Sequence, residues 1–397
     1  MPTLSTTPDL QSRARLAGYD PTVLASACVL VAGAGALGQN VALDLALSGV
    51  RELRIVDGDL FENHNRTRSP LHPRRGGYEL GALLPKASCV AHELELIHVD
   101  DKARIRAADA WIEELGLAAF DGVDAIAACV DALSARAYLA RVAMYLNLPI
   151  VDGGFSGASV GMTVYPRTEE PELAPCWGCG GAPLPGAFSC EHYARQADIQ
   201  GVVPAIQTGA AALGALCSEA VIGILHGNEE RTRRVVLDVR SGESRSSHPS
   251  PDPQCAPQHR RMPEAVEIGL TPSATVAEAL DAVGDPGACL FPPDVYVERA
   301  NCPGCLATCE VGAPSHRWSR DPRCRACGGP WTGAEQQLAS PDTIDAGLRI
   351  DDPRSSLSLA QLGARPGDVL ELADAPCGAI RLQGGPDDLF TDSGASS

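Results

Sequence analysis

Short apolar runs alternate with amphipathic stretches over the first 155 residues of the chain. The runs at 29–32, 52–56 and 125–130 predict strands, and the stretches 37–48 and 133–145 have the spacing of helices that bury one face. Strands that alternate with helices form a parallel sheet covered on both sides. The pattern therefore predicts an α/β fold with a Rossmann-like, mostly parallel sheet.

This alternation stops in the middle of the chain. Pro, Gly and Cys dominate from 168 to 200, and a helix of small residues is predicted over 208–226. An antiparallel strand is predicted over 233–239, and the Ser- and Pro-rich stretch 244–257 is the best candidate for a domain boundary. The remainder is predicted to be smaller, loop-rich and β-rich.

Composition and charge exclude several classes of protein. A length of 397 residues, 45% of them hydrophobic, allows one large domain of about 250 residues and one or two small ones. The formal net charge of −18 argues against a nucleic-acid partner, because phosphate neutralisation needs clustered Lys and Arg. Residues 1–16 lack the apolar segment of a secretory signal, and no run is expected to reach transmembrane length. We therefore expect a cytoplasmic protein.

Fifteen cysteines in such a chain indicate metal ligands and buried thiols rather than disulfides. Two CxxC pairs lie 18 residues apart, at Cys302, Cys305, Cys324 and Cys327. This spacing is typical of a zinc ribbon, a site that usually has a structural role. Cys309 and His316 lie between the two pairs and offer alternative ligands.

A glycine-rich loop follows the first predicted strand. Gly33, Gly35 and Gly38 fit GxGxxG and open the first helix, where backbone N–H groups and the helix dipole favour a phosphate. Asp57 ends the next strand, where it is placed to accept hydrogen bonds from ribose hydroxyls. By itself, this loop favours an NAD-binding Rossmann domain.

Further motifs follow the glycine loop in a fixed order: Gly58-Asp59-Leu60-Phe61-Glu62-Asn63-His64-Asn65-Arg66-Thr67-Arg68, Lys86-Ala87, Cys129-Val130-Asp131-Ala132, Arg136, Asp152-Gly153-Gly154 and Cys176-Trp177-Gly178-Cys179. With these motifs the chain resembles the ThiF/MoeB and ubiquitin-activating superfamily over roughly residues 12 to 260. The resemblance extends to ThiF-type proteins with a C-terminal zinc ribbon. Several motifs in one order are far more specific than the glycine loop.

The resemblance implies a set of ligands for ATP·Mg²⁺. Asp57 or Asp59 would hold the ribose. Asn65, Arg68 and Lys86 would surround the triphosphate, and Asp131 would hold Mg²⁺. Such a set suits a reaction in which a carboxylate attacks the α-phosphorus of ATP, because pyrophosphate leaves as a polyanion and needs cations around it.

Several of these residues have simpler interpretations. Arg66 and Arg68 could be solvated loop charges, and Lys86 a plain lysine at a helix start. Asp131 could cap the helix predicted from Leu133.

The chain also departs from the family pattern. Ala36 replaces the commoner second glycine of the loop, and the pair Asn63 and Asn65 leaves the family asparagine unassigned. Many relatives use an N-terminal arginine that reaches the partner protomer's site, and here Arg13 and Arg15 both qualify.

The resemblance also completes the first cysteine pair. Cys176 and Cys179 supply half of a tetrahedral site, and Cys255 with His259 lies where the superfamily has its second pair, so that a Cys₃His zinc site is implied. The alternative is an unliganded pair of buried thiols.

Cys190 lies in the crossover region, where some relatives carry a cysteine that accepts the activated carboxylate as a thioester or takes part in sulfur transfer. His192 nearby would make its thiolate a better nucleophile. A thiol packed under the loop is an equal alternative.

The sequence thus predicts an adenylyltransferase that uses ATP, Mg²⁺ and Zn²⁺ and activates the C-terminal carboxylate of a ubiquitin-like or sulfur-carrier protein or a ribosomal peptide. A homodimer is expected, with neither a nucleic-acid nor a membrane partner. An NAD-dependent oxidoreductase and a non-catalytic nucleotide-binding adaptor are the alternatives.

Four regions are predicted: a ThiF-type adenylation domain (1–262), a connecting β-rich segment (263–300), a zinc ribbon (301–332) and a small β-rich segment with a disordered tail (333–397).

Overall fold

The computed structural model of the chain describes residues 10–72, 84–156, 159–180, 206–228, 231–252, 255, 259–318, 324–329, 342–344 and 347–392. The chain divides into two compact units. The first comprises Met1–Ile112, Gly122–Arg261 and Phe390–Ser397, and the second comprises Glu113–Asp121 and Met262–Leu389. The four regions predicted from the sequence stay a prediction.

The helices are α1 (Ser12–Leu16), α2 (Pro21–Leu24), α3 (Ala36–Ser48), α4 (Lys86–Glu95), α5 (Leu133–Leu146), α6 (Gln207–Leu225), α7 (Val276–Val283) and α8 (Ser315–Trp318). The strands are β1 (Cys28–Ala32), β2 (Glu52–Val56), β3 (Arg104–Ala108), β4 (Ala125–Ala128), β5 (Ile150–Ser156), β6 (Ser159–Tyr165), β7 (Arg233–Asp238), β8 (Ser244–Ser247), β9 (Val266–Glu267), β10 (Cys289–Leu290), β11 (Tyr296–Asn301), β12 (Thr308–Pro314), β13 (Asp342–Ile344), β14 (Val369–Ala373), β15 (Ala379–Arg381) and β16 (Thr391–Asp392).

The first unit is built on a nine-stranded sheet in the order β16-β3-β2-β1-β4-β5-β6-β7-β8. Strands β1 to β5 pair in parallel, whereas β6, β7, β8 and β16 each join antiparallel. All five residues of β1 are buried, as expected for a central strand covered on both faces. The predicted Rossmann-like, mostly parallel α/β fold is confirmed.

The stretch 244–257, predicted as a domain boundary, begins instead with an edge strand. Its first four residues form β8 and pair with β7. All four are exposed, so polar side chains suffice for a strand at the edge of a sheet.

Small residues let α3 and α6 pack closely against each other. A Cβ atom on Gly214 of α6 would lie 2.5 Å from the Cβ of Asn40 on α3. Glycine at this position is therefore a packing requirement, and it accounts for the small-residue composition that predicted this helix.

Helix α6 corrects one expectation from the sequence. Within the part of the chain that the structure describes, it is the one helix whose 19 residues and mean hydropathy of 1.7 would allow it to cross a membrane. The expectation that no run reaches that length was therefore wrong. Half of the apolar window is buried inside the protein, however, which is the arrangement of a core helix.

The C-terminal strand β16 extends the sheet of the first unit beside β3. The Phe390 ring, directly before it, contacts the guanidinium groups of Arg54 and Arg106, which lie 5.6 and 5.5 Å from its centroid. Contacts of cations with an aromatic face thus add to strand pairing at this edge.

The second unit contains a four-stranded sheet, β10-β14-β15-β9, and a three-stranded sheet, β12-β11-β13. Helix α7 covers an apolar core and begins at a capping box in which Thr275 and Glu278 satisfy each other's backbone N–H groups. It ends at Gly284 in the left-handed conformation that glycine adopts without strain.

Candidate active site

Two of the three loop glycines are required by the fold itself. Gly33 has φ +96°, its N–H donates to Val56 O at 2.7 Å, and a Cβ atom there would lie 2.6 Å from Cys129 O. A Cβ atom on Gly38 would lie 1.7 Å from Gly33 O. These glycines let β1, β4 and the start of α3 approach one another.

Gly35 is different, because a Cβ atom there would have no atom of the described residues within 4 Å. Gly35 is the N-cap of this 13-residue helix and provides no side-chain cap for its first N–H groups. Ala36, the departure from the family pattern, is the first helical residue. The loop therefore leaves room for an anion at a helix N-terminus.

Asp57 holds the glycine loop in place. One of its carboxylate oxygens accepts a hydrogen bond from the Ala34 N–H at 2.7 Å, and the other accepts from the Asp59 N–H at 2.8 Å. Burial raises the pKa of Asp57, and the nearby Lys86 ammonium opposes that shift. Of the two predicted ribose ligands, Asp57 is tied to backbone and Asp59 is half-exposed.

Lys86 begins α4 and points back to the same loop. Its Nζ donates to a carboxylate oxygen of Asp59 at 2.8 Å, and its side chain is only 12% exposed. The lysine therefore does more than start a helix: it lies beside the strand end that carries Asp57.

The arginine-containing segment forms a short 3₁₀ helix, Asn63–Arg68. Asn65 is buried and its side-chain oxygen accepts from the Glu62 N–H at 2.8 Å, which closes a capping box. Arg66 is exposed and Arg68 half-buried. The side chain of Asn63 lies outside the described set, so the choice between the two asparagines stays a prediction.

Asp131 lies between the end of β4 and α5, and it is exposed. The N-cap of α5 is Ala132, and no side chain caps this helix, so the alternative that Asp131 caps it is wrong. Among the residues that the structure describes, none hydrogen-bonds its carboxylate. The carboxyl ends of β1, β2 and β4 share one edge of the sheet, which gathers Asp131, Asp57 and the glycine loop.

Arg136, one turn into α5, forms a buried ion pair with Asp152 of β5 and donates to Gly153 O at 2.8 Å. Burial raises the pKa of Asp152, and the guanidinium of Arg136 opposes that rise. This pair fixes α5, and with it the loop of Asp131, against the sheet.

Trp111 also lies at this site, although no motif in the sequence indicates it. Its indole lies against Gly58, where a Cβ atom would be 2.5 Å from the ring, and it is 39% exposed. An aromatic ring beside Asp57 and Asp59 is a surface on which a planar base can stack. No local motif marks this tryptophan, because it comes after β3 and meets Gly58 only through the fold.

The first cysteine cluster gathers the four predicted ligands, Cys176, Cys179, Cys255 and His259. The Sγ of Cys176 lies 3.8 Å from that of Cys179 and 3.5 Å from that of Cys255. The His259 Nε2 lies 3.1 Å from the Cys179 Sγ, and its Nδ1 donates to the carbonyl oxygen of Pro171 at 2.8 Å. Zn–S bonds of about 2.3 Å in a tetrahedron separate sulfurs by about 3.8 Å, so this donor set fits zinc.

The ribbon cluster gathers Cys302, Cys305, Cys324 and Cys327, whose sulfurs all lie within 4.8 Å of one another. His316, the alternative ligand, is not among them. Its ring contacts Asp294 and Arg365 instead, and so the alternative is wrong. The thiolate set fits zinc as the first cluster does.

The structure does not test the roles predicted for Cys190, His192 and the two N-terminal arginines. Cys190 and His192 lie outside the described residues. Arg13 and Arg15 lie on α1, a five-residue helix that buries none of its side chains.

A cavity of 290 Å³ lies between α5 and the first cysteine cluster. Its wall includes Arg136, Asp152, Tyr165, Cys176 and Trp177. The glycine loop and Asp131 do not line it, so the cavity is separate from the nucleotide ligands predicted from the sequence.

Comparisons with known proteins agree with this geometry. The model of the ThiF family matches residues 13–257. The mouse adenylyltransferase and sulfurtransferase MOCS3 is 27% identical over 260 residues, which cover 65% of this chain and 51% of that protein. The adenylyltransferase and sulfurtransferase uba4 of Aspergillus niger is 34% identical over 128 residues, or 32% of this chain and 25% of that protein. The chain thus spans about half the length, or less, of these relatives.

A similar fold is found in the crystal structure of E. coli MccB with MccA-N7isoASN. The TM-score is 0.51 and the identity 19%, over 64% of this chain and 76% of that chain.

Proposed function

The chain belongs to the ThiF family, and on that premise we propose that it is an ATP-dependent adenylyltransferase that joins AMP to a carboxylate. The match of residues 13–257 to the ThiF family carries the proposal, and the space that the described residues leave at Gly35, beside a helix N-terminus without a side-chain cap, offers a place for a phosphate of ATP. Packing within the fold requires only the other two loop glycines, Gly33 and Gly38. A glycine at position 35 is therefore explained by the close approach of a phosphate ligand.

The proposed reaction assigns a separate task to each group. The N–H groups at the start of α3 bind phosphate oxygens, and Lys86 and Arg68 neutralise the pyrophosphate that leaves. Asp59 accepts hydrogen bonds from the ribose, while Asp57 keeps the loop in shape through Ala34. Trp111 provides one face for the base.

Asp131 is the proposed holder of Mg²⁺, because its carboxylate is exposed and is not used as a helix cap. When bound, this ion neutralises charge on the phosphate oxygens. The Arg136–Asp152 pair keeps the loop of Asp131 fixed.

The proposed acceptor of AMP is the C-terminal carboxylate of a ubiquitin-like or sulfur-carrier protein or of a ribosomal peptide. The names adenylyltransferase and sulfurtransferase, which similar proteins carry, support this class. The proposed enzyme is a cytoplasmic homodimer in which Arg13 or Arg15 reaches the partner's site.

The test uses the full chain with ATP·Mg²⁺ and a panel of small proteins that end in Gly-Gly. Asp131→Ala should abolish ATP–pyrophosphate exchange and leave the unfolding temperature unchanged, while Asp101→Ala, another exposed aspartate, should exchange at the parent rate. Near-normal exchange in Asp131→Ala would place the metal elsewhere.

Thermal shift separates the proposal from its alternatives. A bound ligand raises stability in proportion to RT ln(1 + [L]/Kd), so ATP·Mg²⁺ should raise the unfolding temperature and NAD⁺ should not. Stabilisation by NAD⁺ alone would favour an oxidoreductase, and no shift with either nucleotide would favour a non-catalytic adaptor whose nucleotide fold is vestigial.

Cys190 is the proposed acceptor of the acyl group, as a thioester. A substrate adduct that survives denaturation, is lost with dithiothreitol and is absent in Cys190→Ala would support this role. If Cys190→Ala turns over at the parent rate, the enzyme stops at the acyl-adenylate or passes it to an outside nucleophile.

A further inference from the structure

A fifth sulfur atom lies at the ribbon cluster. The Sγ of Cys309 is 3.4 Å from that of Cys324. Two ligand pairs of the described ribbon are no closer: Cys305 and Cys324 are 3.5 Å apart, and Cys302 and Cys327 are 4.0 Å apart. Cys309 therefore approaches Cys324 as closely as a ligand does, although it is not one of the four.

The hairpin holds Cys309 in this position. It lies on β12 opposite Ala300 of β11, and it is 5% exposed in a small cluster with Cys302 and Cys324. Within the described residues, its thiol makes one long contact with backbone, to Ala307 O at 3.8 Å. A tetrahedral zinc site is complete with the other four sulfurs, so Cys309 keeps a thiol that no metal needs.

We propose that Cys309 and Cys324 are a redox-modifiable pair. A hydroperoxide converts the two thiols to a disulfide, and the loss of Cys324 as a ligand releases zinc from the ribbon. This proposal does not depend on the adenylation reaction. It needs only the five sulfurs and an oxidant.

The reaction balances as a two-electron oxidation. The Cys324 thiolate attacks one peroxide oxygen, the O–O bond breaks, and the alkoxide or hydroxide that leaves takes a proton from water. Cys309 then attacks the sulfenic sulfur of Cys324, the S–S bond forms, and the hydroxyl group leaves with the Cys309 proton as water. The site is left with three ligands, which lowers its hold on zinc.

Solvent reaches the cluster from one side. Cys324 and Cys309 are buried, but Cys305 and Cys327 are exposed. A small oxidant can therefore approach the coordination sphere past these two residues. At the first cluster Cys176 is buried and none of its ligands is exposed, so that site should resist the same treatment.

The test compares full-length protein with Cys309→Ser and with Cys377→Ser, a control cysteine of the same unit that packs away from the ribbon. Each protein, with zinc content measured first, receives hydrogen peroxide while a chromogenic chelator reports free zinc. We expect the parent and Cys377→Ser to release about one equivalent, and Cys309→Ser to release it at least tenfold more slowly.

Mass spectrometry identifies the bond. Without reduction, the parent should give a cross-link between the tryptic peptides 300–317 and 324–325, and Cys309→Ser should lose it. Dithiothreitol with added zinc should restore the starting state.

Four results would overturn the proposal: zinc release at the parent rate in Cys309→Ser, the same cross-link in that variant, no release from the parent, or a loss of zinc from Cys309→Ser before oxidation, which would make Cys309 a ligand.

Discussion

The two cysteine clusters use similar ligands in different surroundings. In the first, Cys176 and Cys255 are 79 residues apart, and a buried histidine is oriented by the carbonyl oxygen of Pro171. In the ribbon, Cys305 and Cys324 are 19 residues apart, two ligands are exposed, and a fifth thiol lies beside the set.

The difference in loop length has an energetic consequence. The entropy cost of closure grows as (3/2)RT ln n, so joining residues 79 apart costs the chain about 1.3 kcal/mol more than joining residues 19 apart. Zinc binding at the first cluster would offset this cost and would connect distant segments of the first unit. The ribbon organises only a local hairpin of the second. We therefore expect the first cluster to determine the stability of its unit and the ribbon to matter only locally.

The largest effect should come from Cys176→Ser. Losing a ligand of a buried site leaves unpaired thiolates in the interior and opens the long loop, so we expect the first unit to lose about 4 kcal/mol or more, together with ATP binding. Thermal unfolding and zinc content measure this. Cys89→Ser, a buried cysteine of α4 away from the cluster, serves as control and should cost about 1–2 kcal/mol. Equal losses in the two variants would contradict a metal role for Cys176.

A smaller effect is expected from Cys302→Ser. Zinc content should fall from two per chain to one, and the second unit should lose about 2–4 kcal/mol. The thermal shift produced by ATP·Mg²⁺ should be that of the parent, because no proposed nucleotide ligand lies in the ribbon. A zinc content that stays at two would remove the ribbon as a metal site.

Chelation should separate the two clusters kinetically. Because Cys305 and Cys327 are exposed and no ligand of the first cluster is, a chelator at neutral pH should remove the ribbon zinc first. We expect two phases that differ at least tenfold in rate, or about 1.4 kcal/mol in barrier. The Cys302→Ser variant should lack the fast phase, and its absence would assign that phase to the ribbon zinc. A single phase for both ions would mean that exposure does not govern release.

His259→Cys should have the smallest effect. A fourth thiolate can replace the imidazole as a zinc ligand, so zinc content should stay the same. The hydrogen bond from the ring to Pro171 O is lost, which should lower the free energy of unfolding by about 1 kcal/mol. His259→Ala, which offers no ligand, should lose the zinc. If both variants retain it, His259 is not a ligand.

Several features could be predicted from local patterns. The glycine loop, β1, α3 and the alternation that follows depend on residues near one another in sequence, and the structure has the predicted parallel sheet. The two CxxC pairs of the ribbon also meet, because 18 intervening residues are enough for one hairpin. Cys255 and His259 were placed beside Cys176 only through the family resemblance.

Other features needed the fold. Trp111 meets Gly58, and Phe390 meets Arg54, through contacts that no spacing along the chain indicates. The same holds for His316, which spacing placed in the ribbon and whose ring contacts Asp294 instead.

By itself, the sequence determined the alternation of strands and helices over the first 155 residues, the glycine loop and the identity of the metal-binding residue types, because each follows from periodicity or from short-range spacing. Only the tertiary structure decided that Gly35 borders open space, that Asp131 is not a helix cap, and that Cys309 lies against Cys324. These depend on which surfaces face each other after folding, and packing between segments far apart in the chain sets that arrangement.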